Sequence, residues 1–146
     1  IRNMAEICTR VESFYKYERN GSNKTNNIAS VIADSAVSAS EEMDAKLIVA
    51  STMSGYTANK ISNLRPNCLI LSPVPSEKVA KSLTLSYGVY PVITNVYTST
   101  DELVDDAILK AKEFTDLYSE DKIIIVGGFP PNSGKKITNF MKIEEI

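Results

Sequence analysis

Residues 47–64, LIVASTMSGYTANKISNL, change within a short span from a buried strand to a helix. Leu47 to Ala50 is a continuous apolar run, which is typical of a strand covered on both faces. Ser51 to Gly55 is a small polar turn, and Thr57 to Leu64 predicts a helix that ends before Pro66. A buried strand that leads directly into a helix indicates a parallel sheet with helices on its faces.

The alternation of strands and helices continues on both sides of this segment. Further strands are predicted at Cys68 to Leu71, Val89 to Ile93, Ile123 to Val126 and Ile137 to Ile143. Further helices are predicted at residues 1–17, after a Thr25 cap with Ile28, Val31, Ile32, Ala36 and Ala39 on one stripe, after Ser76, and after Ser99. Because no helix separates the last two strands, we expect them to pair antiparallel. The predicted fold is α/β: a three-layer α/β/α sandwich with a mixed, mostly parallel sheet of about five strands, the last of them antiparallel.

Prolines and a capping motif refine this prediction. We expect Pro73 and Pro75 to break the chain after the second strand, whereas Pro91 places the third strand at a sheet edge. Ser99 to Glu102 is a capping box for the following helix. On that helix, Asp105 and Asp106 are expected to lie together on the solvated face.

Composition excludes several classes of function. The chain has no histidine, so no catalytic or metal site here can use one. Cys8 and Cys68 lie far apart, which predicts neither a disulfide nor a metal site and fits a reducing cytoplasm. A net charge of −2 argues against nucleic acid as a partner. No apolar run approaches the ~20 residues of a membrane span.

The first candidate site is the turn from Ser51 to Thr57. It joins a strand's carboxyl end to a helix N-terminus, where free N–H groups and the helix dipole favour an anion. Four hydroxyl groups add donors for a phosphate, and Gly55 permits close backbone approach. Lys60 lies one turn further along, and Tyr56 either covers a ligand or packs. The alternative is an ordinary helix cap.

The second candidate is the loop from Gly127 to Lys136. It is not a phosphate-binding P-loop, because Gly128 and Gly134 are one residue too far apart and a strand follows Lys136. Long loops at the carboxyl end of a strand are often functional. The alternative is a solvated loop without a ligand.

Several segments, in order, resemble the C-terminal domain of pyruvate kinases. They are Met4 to Cys8, Val49 to Ala58, Ile61 to Ile70, Ser86 to Val92, and Gly127 to Ile143 with its Thr138-Asn139 pair. The resemblance implies that residues 1–18 are a helix linking from a barrel domain and that residues 19–146 are the regulatory domain. The barrel would carry the phosphoenolpyruvate and ADP chemistry with Mg²⁺ and K⁺, which leaves no catalytic residue, metal or cofactor in this chain.

The resemblance also implies an allosteric role and a homotetramer. The effector's phosphate would bind at Ser51, Thr52, Met53, Ser54, Gly55, Tyr56 and Thr57. A flap would close over it, formed by Phe129, Pro130, Pro131, Asn132, Ser133 and Gly134.

One departure bears on the identity of the effector. The chain has no Trp, and no Arg after Arg65, where bisphosphate-activated members hold a second phosphate. A sugar phosphate or nucleotide monophosphate, such as ribose 5-phosphate, glucose 6-phosphate or AMP, therefore fits at least as well as a bisphosphate, with Lys135 and Lys136 as partial substitutes. The alternative function is a free-standing small α/β protein that binds or processes a phosphorylated metabolite.

Overall fold

The computed structural model describes residues 2–14, 27–130 and 137–146. The helices in these ranges are α1 (Arg2–Phe14), α2 (Ile28–Glu42), α3 (Tyr56–Asn63), α4 (Glu77–Leu83) and α5 (Thr100–Phe114). The strands are β1 (Leu47–Ala50), β2 (Leu69–Val74), β3 (Val89–Ile93), β4 (Lys122–Gly127) and β5 (Phe140–Glu145). They form one sheet in the order β3-β2-β1-β4-β5, in which only β5 runs antiparallel to its neighbour. The predicted mixed α/β sheet is therefore confirmed.

The two faces of the sheet are covered by different helices, which gives the predicted three layers. On one face, Ile48 and Ala50 of β1 belong to an apolar cluster that includes Val37 of α2 and Ile61 of α3. On the other face, Leu47 and Val49 pack in a second cluster that includes residues of α5. Since alternate side chains of a strand point to opposite faces, every residue of β1 is buried.

Strand β3 lies at the sheet edge, as Pro91 predicted. The N–H of Thr94 donates to the carbonyl of Val74 at 3.0 Å, so the period of two aims the backbone nitrogens of Val92 and Tyr90 at β2 as well. The nitrogen of Pro91 therefore faces the open edge. A proline there removes no bond from the ladder and leaves this edge without one donor for another strand.

Pro73 does not break the chain as predicted, because it lies inside β2 opposite Val92. Its carbonyl accepts from the N–H of Thr52 at 3.2 Å, and the ladder would then have the nitrogen of residue 73 donate to the carbonyl of Ala50. The hydroxyl of Ser72 donates to that carbonyl instead, at 2.9 Å. A neighbouring side chain thus replaces the missing N–H and makes a proline acceptable.

The structure of helix α2 differs from the prediction in its N-cap and in part of its buried face. Its N-cap is Asn27, whose side chain accepts from the N–H of Ala29 at 3.0 Å, and the expected cap Thr25 lies outside the described residues. Of the predicted stripe, Ala36 is buried and Ile32 and Ala39 pack against the core, whereas Ile28 and Val31 are exposed. The small residues Ala29 and Ala33 are buried in the first half of the helix. Hydrophobicity alone selects the larger Ile28 and Val31 there, and these two assignments are wrong.

Helix α1 is amphipathic but exposed. None of its described side chains is buried, and the exposed large apolar residues include Met4, Ile7, Val11 and Phe14. Residues 15–17 of the predicted helix lie outside the described ranges. Among the described residues, no helix is long and apolar enough to cross a membrane.

Candidate functional site

A cavity of ≈ 50 Å³ opens at the carboxyl edge of the parallel strands. Its lining comes from the turn after β1, the segment after β3, the start of α5 and the β4–β5 connection. The lining residues are Ser51, Thr52, Met53, Ser54, Tyr56, Asn95, Tyr97, Leu103, Gly128, Pro130 and Ile137. A water requires roughly 10–15 Å³ measured in this way, so the cavity between the described residues has room for a few water-sized groups.

The turn after β1 leaves the N-terminus of α3 open. Gly55 is the N-cap residue, with a left-handed backbone at φ 82° that glycine adopts easily. Within the described chain no side chain caps this end. The first N–H groups of a helix have no partner inside the helix, so they can bind an anion. Ser51 and Thr52 are buried at the cavity, and Ser54 lies there exposed, so three of the predicted hydroxyl groups meet beside these donors.

Two residues of the predicted site support the turn from behind. A Cβ on Gly55 would lie 3.2 Å from Cδ2 of Leu83, so this position packs directly against α4. The hydroxyl of Thr57 is buried and shares a 2.7 Å hydrogen bond with the hydroxyl of Thr138. That bond ties the first turn of α3 to the segment before β5.

Tyr56 and Lys60 connect the turn to α2. Tyr56 lines the cavity, and its hydroxyl accepts from the side-chain amide of Asn27 at 3.2 Å. The ammonium of Lys60 donates to the hydroxyl of Ser30 at 3.1 Å and lies 5.7 Å from the centre of the Tyr56 ring. Lys60, one turn after the candidate site, is thus directed toward α2.

The β4–β5 connection forms another wall of the cavity. A Cβ on Gly128 would overlap the carbonyl oxygen of Ile137, so only glycine lets the two ends of this connection meet. The side chain of Asn139 accepts from the N–H of Phe129 at 3.0 Å and donates to its carbonyl at 2.9 Å. This pair fixes the start of the predicted flap, where Pro130 reaches the cavity. The other flap residues, Pro131, Asn132, Ser133 and Gly134, lie outside the described residues, as do Lys135 and Lys136.

The sequence interpretation missed the wall formed by Asn95, Tyr97 and Leu103. Asn95 and Tyr97 follow β3, which ends at the same edge of the sheet as β1 and β4. The rule that identified the other two loops therefore applied to this segment too. What hid it was the absence of a glycine-rich or hydroxyl-rich pattern.

Tyr97 is held by a carboxylate that was expected to be solvated. Its hydroxyl donates to Oδ2 of Asp106 at 2.6 Å, and the hydroxyl of Thr94 donates to the same oxygen at 2.8 Å. Lys110 pairs with Oδ1 at 3.7 Å. Burial, followed by the hydrogen bond to Asp106, raises the pKa of Tyr97 well above its usual range, so this hydroxyl stays protonated. Only Asp105 is exposed as predicted.

Comparison with known proteins identifies the family. The family model described as "Pyruvate kinase, alpha/beta domain" matches residues 30–144. Pyruvate kinase of Clostridium acetobutylicum is 34% identical over 152 residues, which cover 100% of this chain and 32% of the relative. Pyruvate kinase of Lactobacillus delbrueckii subsp. bulgaricus is 36% identical over 151 residues, 100% of this chain and 24% of the relative. The chain thus spans a third or less of the length of these curated relatives.

A solved structure agrees with this assignment. A structure described as Cryptosporidium parvum pyruvate kinase in complex with ADP superimposes with a TM-score of 0.73 at 30% identity. The match covers 85% of this chain and 25% of that one. The family match, the relatives and the solved structure point to one conclusion. The chain belongs to the pyruvate kinase family and corresponds to its C-terminal alpha/beta domain.

Proposed function

We propose that this chain is the effector-binding and oligomerisation domain of a pyruvate kinase. In the intact enzyme, a separate barrel domain transfers the phosphoryl group from phosphoenolpyruvate to ADP with Mg²⁺ and K⁺, and this chain has no catalytic step of its own. Two facts support this division. The chain matches a third or less of relatives named pyruvate kinase, and it has no histidine to serve as a general base.

The open start of α3 carries the proposal for the effector site. The uncapped N-terminus of α3 faces a cavity to which Ser51, Thr52 and Ser54 contribute hydroxyl groups. The helix dipole places about half a positive charge at this end, which favours an anion. We assign this position to the phosphate of a sugar phosphate or nucleotide monophosphate, with the N–H groups from Ser54 to Thr57 as further donors.

The cavity between the described residues has room for the phosphate. The remainder of the ligand must extend past Pro130, where the predicted flap from Phe129 to Gly134 begins. The bidentate hydrogen bonds of Asn139 to Phe129 give that segment a fixed base. This arrangement supports a ligand that is held by its phosphate and covered by the flap.

The exposed apolar side chains of α1 support a role in assembly. Met4, Ile7 and Phe14 are each more than 60% exposed, which is unfavourable for an isolated helix in water. We assign residues 1–18 to a linking helix that packs against the rest of the enzyme. Assembly to a homotetramer, expected from the family resemblance, remains part of this proposal.

The effector site is tested by removing two hydroxyl groups. In the intact enzyme, Thr52→Ala combined with Ser54→Ala should weaken binding of ribose 5-phosphate, glucose 6-phosphate or AMP, whichever binds the unmodified enzyme, by on the order of 10²-fold. Each charge-assisted hydrogen bond contributes roughly 1.5–3 kcal/mol. Titration calorimetry measures this loss, and activation by the same compound should disappear with it.

Ser99→Ala is the matched control, because it removes a hydroxyl group from the start of α5, where the side chain caps its own helix. This variant should bind the effector normally. Unchanged binding in the double variant would mean that the turn after β1 is an ordinary helix start and does not bind the effector.

A further inference from the structure

The side chain of Ser51 lies on the α5 side of the sheet. The N–H of Ser51 donates to the carbonyl of Val126 at 2.9 Å, so Ser51 extends the ladder between β1 and β4 by one residue. Val49, two residues earlier, packs in the apolar cluster that includes residues of α5, and a strand returns to the same face every second residue. Gly127 gives the same placement, because a Cβ there would lie 3.2 Å from Cδ1 of Leu103 in α5 and 3.8 Å from Cβ of Ser51.

The side chain of Thr52 lies on the other side, toward α3. The N–H of Thr52 donates to the carbonyl of Pro73 at 3.2 Å, so this residue extends the ladder between β1 and β2. Ala50, two residues earlier, packs in the apolar cluster that includes residues of α2 and α3. Of these two consecutive hydroxyl groups, only that of Thr52 is directed at the layer that contains the open start of α3.

The hydroxyl group of Ser51 is hydrogen-bonded to the hydroxyl group of Tyr97. Each of these two residues is 7% exposed, and both line the cavity. Tyr97 in turn donates to Oδ2 of Asp106 at 2.6 Å, and Thr94, 3.0 Å from the Tyr97 hydroxyl, donates to the same oxygen at 2.8 Å. A chain of hydrogen bonds therefore runs from the turn after β1, through the segment after β3, to helix α5.

The direction of this chain is fixed at its α5 end. An ionised carboxylate only accepts hydrogen bonds, so the proton of the Tyr97 hydroxyl is committed to Asp106. The bond between Ser51 and Tyr97 then requires the proton of Ser51, and a serine hydroxyl has only one. A phosphate oxygen needs a donor. Ser51 therefore has no proton left for a phosphate, although it belongs to the hydroxyl-rich turn.

We propose that the chain from Ser51 through Tyr97 to Asp106 positions the turn after β1, and that Ser51 itself does not bind the phosphate. Thr52 and Ser54 remain the hydroxyl donors of the site. A turn that is already fixed in the free protein loses less freedom when a ligand binds, so the chain strengthens binding without a contact to the ligand. The inference rests on the proposed function, because it assumes that a phosphate binds at the start of α3.

The test is a double-mutant cycle on ligand affinity in the intact enzyme. The probe is glucose 6-phosphate, or ribose 5-phosphate or AMP if that compound is the one that binds the unmodified enzyme, and titration calorimetry gives the dissociation constant. Ser51→Ala and Tyr97→Phe should each weaken binding roughly tenfold, because each breaks the same chain. The double variant should bind no more weakly than either single variant, since the chain can be broken only once. Tyr118→Phe is the matched control, because it removes a hydroxyl group from an exposed tyrosine and should bind normally.

Asp106 provides an independent pair of variants. Asp106→Leu removes the acceptor of the Tyr97 proton, so its loss of affinity should match that of Tyr97→Phe. Asp106→Asn keeps a side-chain oxygen that can accept from Tyr97, so its affinity should stay close to that of the unmodified enzyme. A role in packing alone would not make affinity follow the presence of an acceptor at this position. If Tyr97→Phe fails to fold, this pair decides.

Two results would overturn the inference. Losses that multiply in the double variant would mean that Ser51 and Tyr97 act independently. Normal binding by either single variant, or equal binding by the two Asp106 variants, would mean that the chain does not position the turn. In each case the effector site stands if Thr52→Ala combined with Ser54→Ala still loses binding. If none of the three compounds binds the unmodified enzyme, the effector site and this inference both fall.

Discussion

The starts of α3 and α5 lie at the same edge of one sheet, but only one of them is closed by its own residues. At α5, Ser99 accepts from the N–H of Glu102 at 3.1 Å, and the carboxylate of Glu102 accepts from the N–H of Thr98 at 2.7 Å. At α3, the N-cap residue Gly55 has no side chain, and no other side chain of the described residues caps this N-terminus. A closed end needs no ligand, whereas an open end at a cavity has donors to offer.

The residue types explain the difference. The first turn of α5 contains Asp101 and Glu102, while the first turn of α3 has no acidic residue. A carboxylate near a helix N-terminus interacts favourably with the dipole and at the same time occupies the place of an external anion. The open end instead requires other support, which it receives from α4 and from the segment before β5.

The support from α4 gives the largest expected effect on stability. Gly55→Ala should lower the free energy of unfolding of this chain by about 2–5 kcal/mol. Alanine at a positive φ costs roughly 1–2 kcal/mol, and overpacking a core costs roughly 1–3 kcal/mol. The new Cβ would lie 3.2 Å from the buried side chain of Leu83. Urea denaturation measures the change.

Gly88→Ala separates strain from packing. Gly88 also has a positive φ, 66°, but a Cβ there would meet nothing within 4 Å. Its cost should therefore be that of the backbone alone, roughly 1–2 kcal/mol. Equal losses in the two variants would mean that packing against α4 does not hold the open end in place.

Loss of the hydrogen bond between Thr57 and Thr138 should have the next largest effect on the free energy of unfolding. Thr57→Val leaves the buried hydroxyl of Thr138 without its 2.7 Å partner and should cost about 1–3 kcal/mol. Adding Thr138→Val removes the stranded group, so the double variant should lose less than the sum of the single losses. A double-mutant cycle by urea denaturation measures this coupling. Additive losses would show that the two hydroxyl groups act independently.

Sequence alone predicted the sheet because β1 and β4 are continuous apolar runs and each is followed by a recognisable turn signal. The prediction from sequence was wrong where a neighbouring residue compensates for an unfavourable one, or where small residues are buried instead of large ones. Pro73 fits inside β2 because Ser72 supplies the missing donor, and in the first half of α2 the small residues Ala29 and Ala33 are buried while Ile28 is exposed. Neither compensation can be read from one segment in isolation.

The candidate site was predictable in part for a similar reason. Ser51 to Ser54 stood out because hydroxyl groups are concentrated between a strand and a helix. Tyr97 and Asp106 did not stand out, since their relation depends on a 2.6 Å contact between a loop and the following helix. Spacing on one helix placed Asp105 and Asp106 together, but only the fold shows that one of them faces the cavity wall.

A substitution at the closed start of α5 should have the smallest effect on stability, and this effect should depend on pH. Hydrogen bonds from the N–H and then the hydroxyl of Thr98 lower the pKa of Glu102 from its usual 4.5. A carboxyl group with a lowered pKa in the folded state stabilises the fold above its usual pKa, and this contribution is lost as the pH falls through the lowered value. Glu102→Gln should therefore be slightly less stable than the unmodified chain near pH ~6, and the difference should vanish well below pH ~4.

Glu113→Gln is the control for that comparison, because it removes a carboxylate from the last turn of the same helix. There a negative charge opposes the dipole, so near pH ~6 this variant should be no less stable than the unmodified chain. Thermal unfolding at low salt, followed from pH ~7 to ~3, measures both differences. The first turn of α3 has no acidic residue, so of the two helix starts only that of α5 should contribute to the pH dependence of stability. A difference for Glu102→Gln that stays constant across this range would mean that the charge of Glu102 contributes nothing, and that the two helix starts differ in hydrogen bonding only.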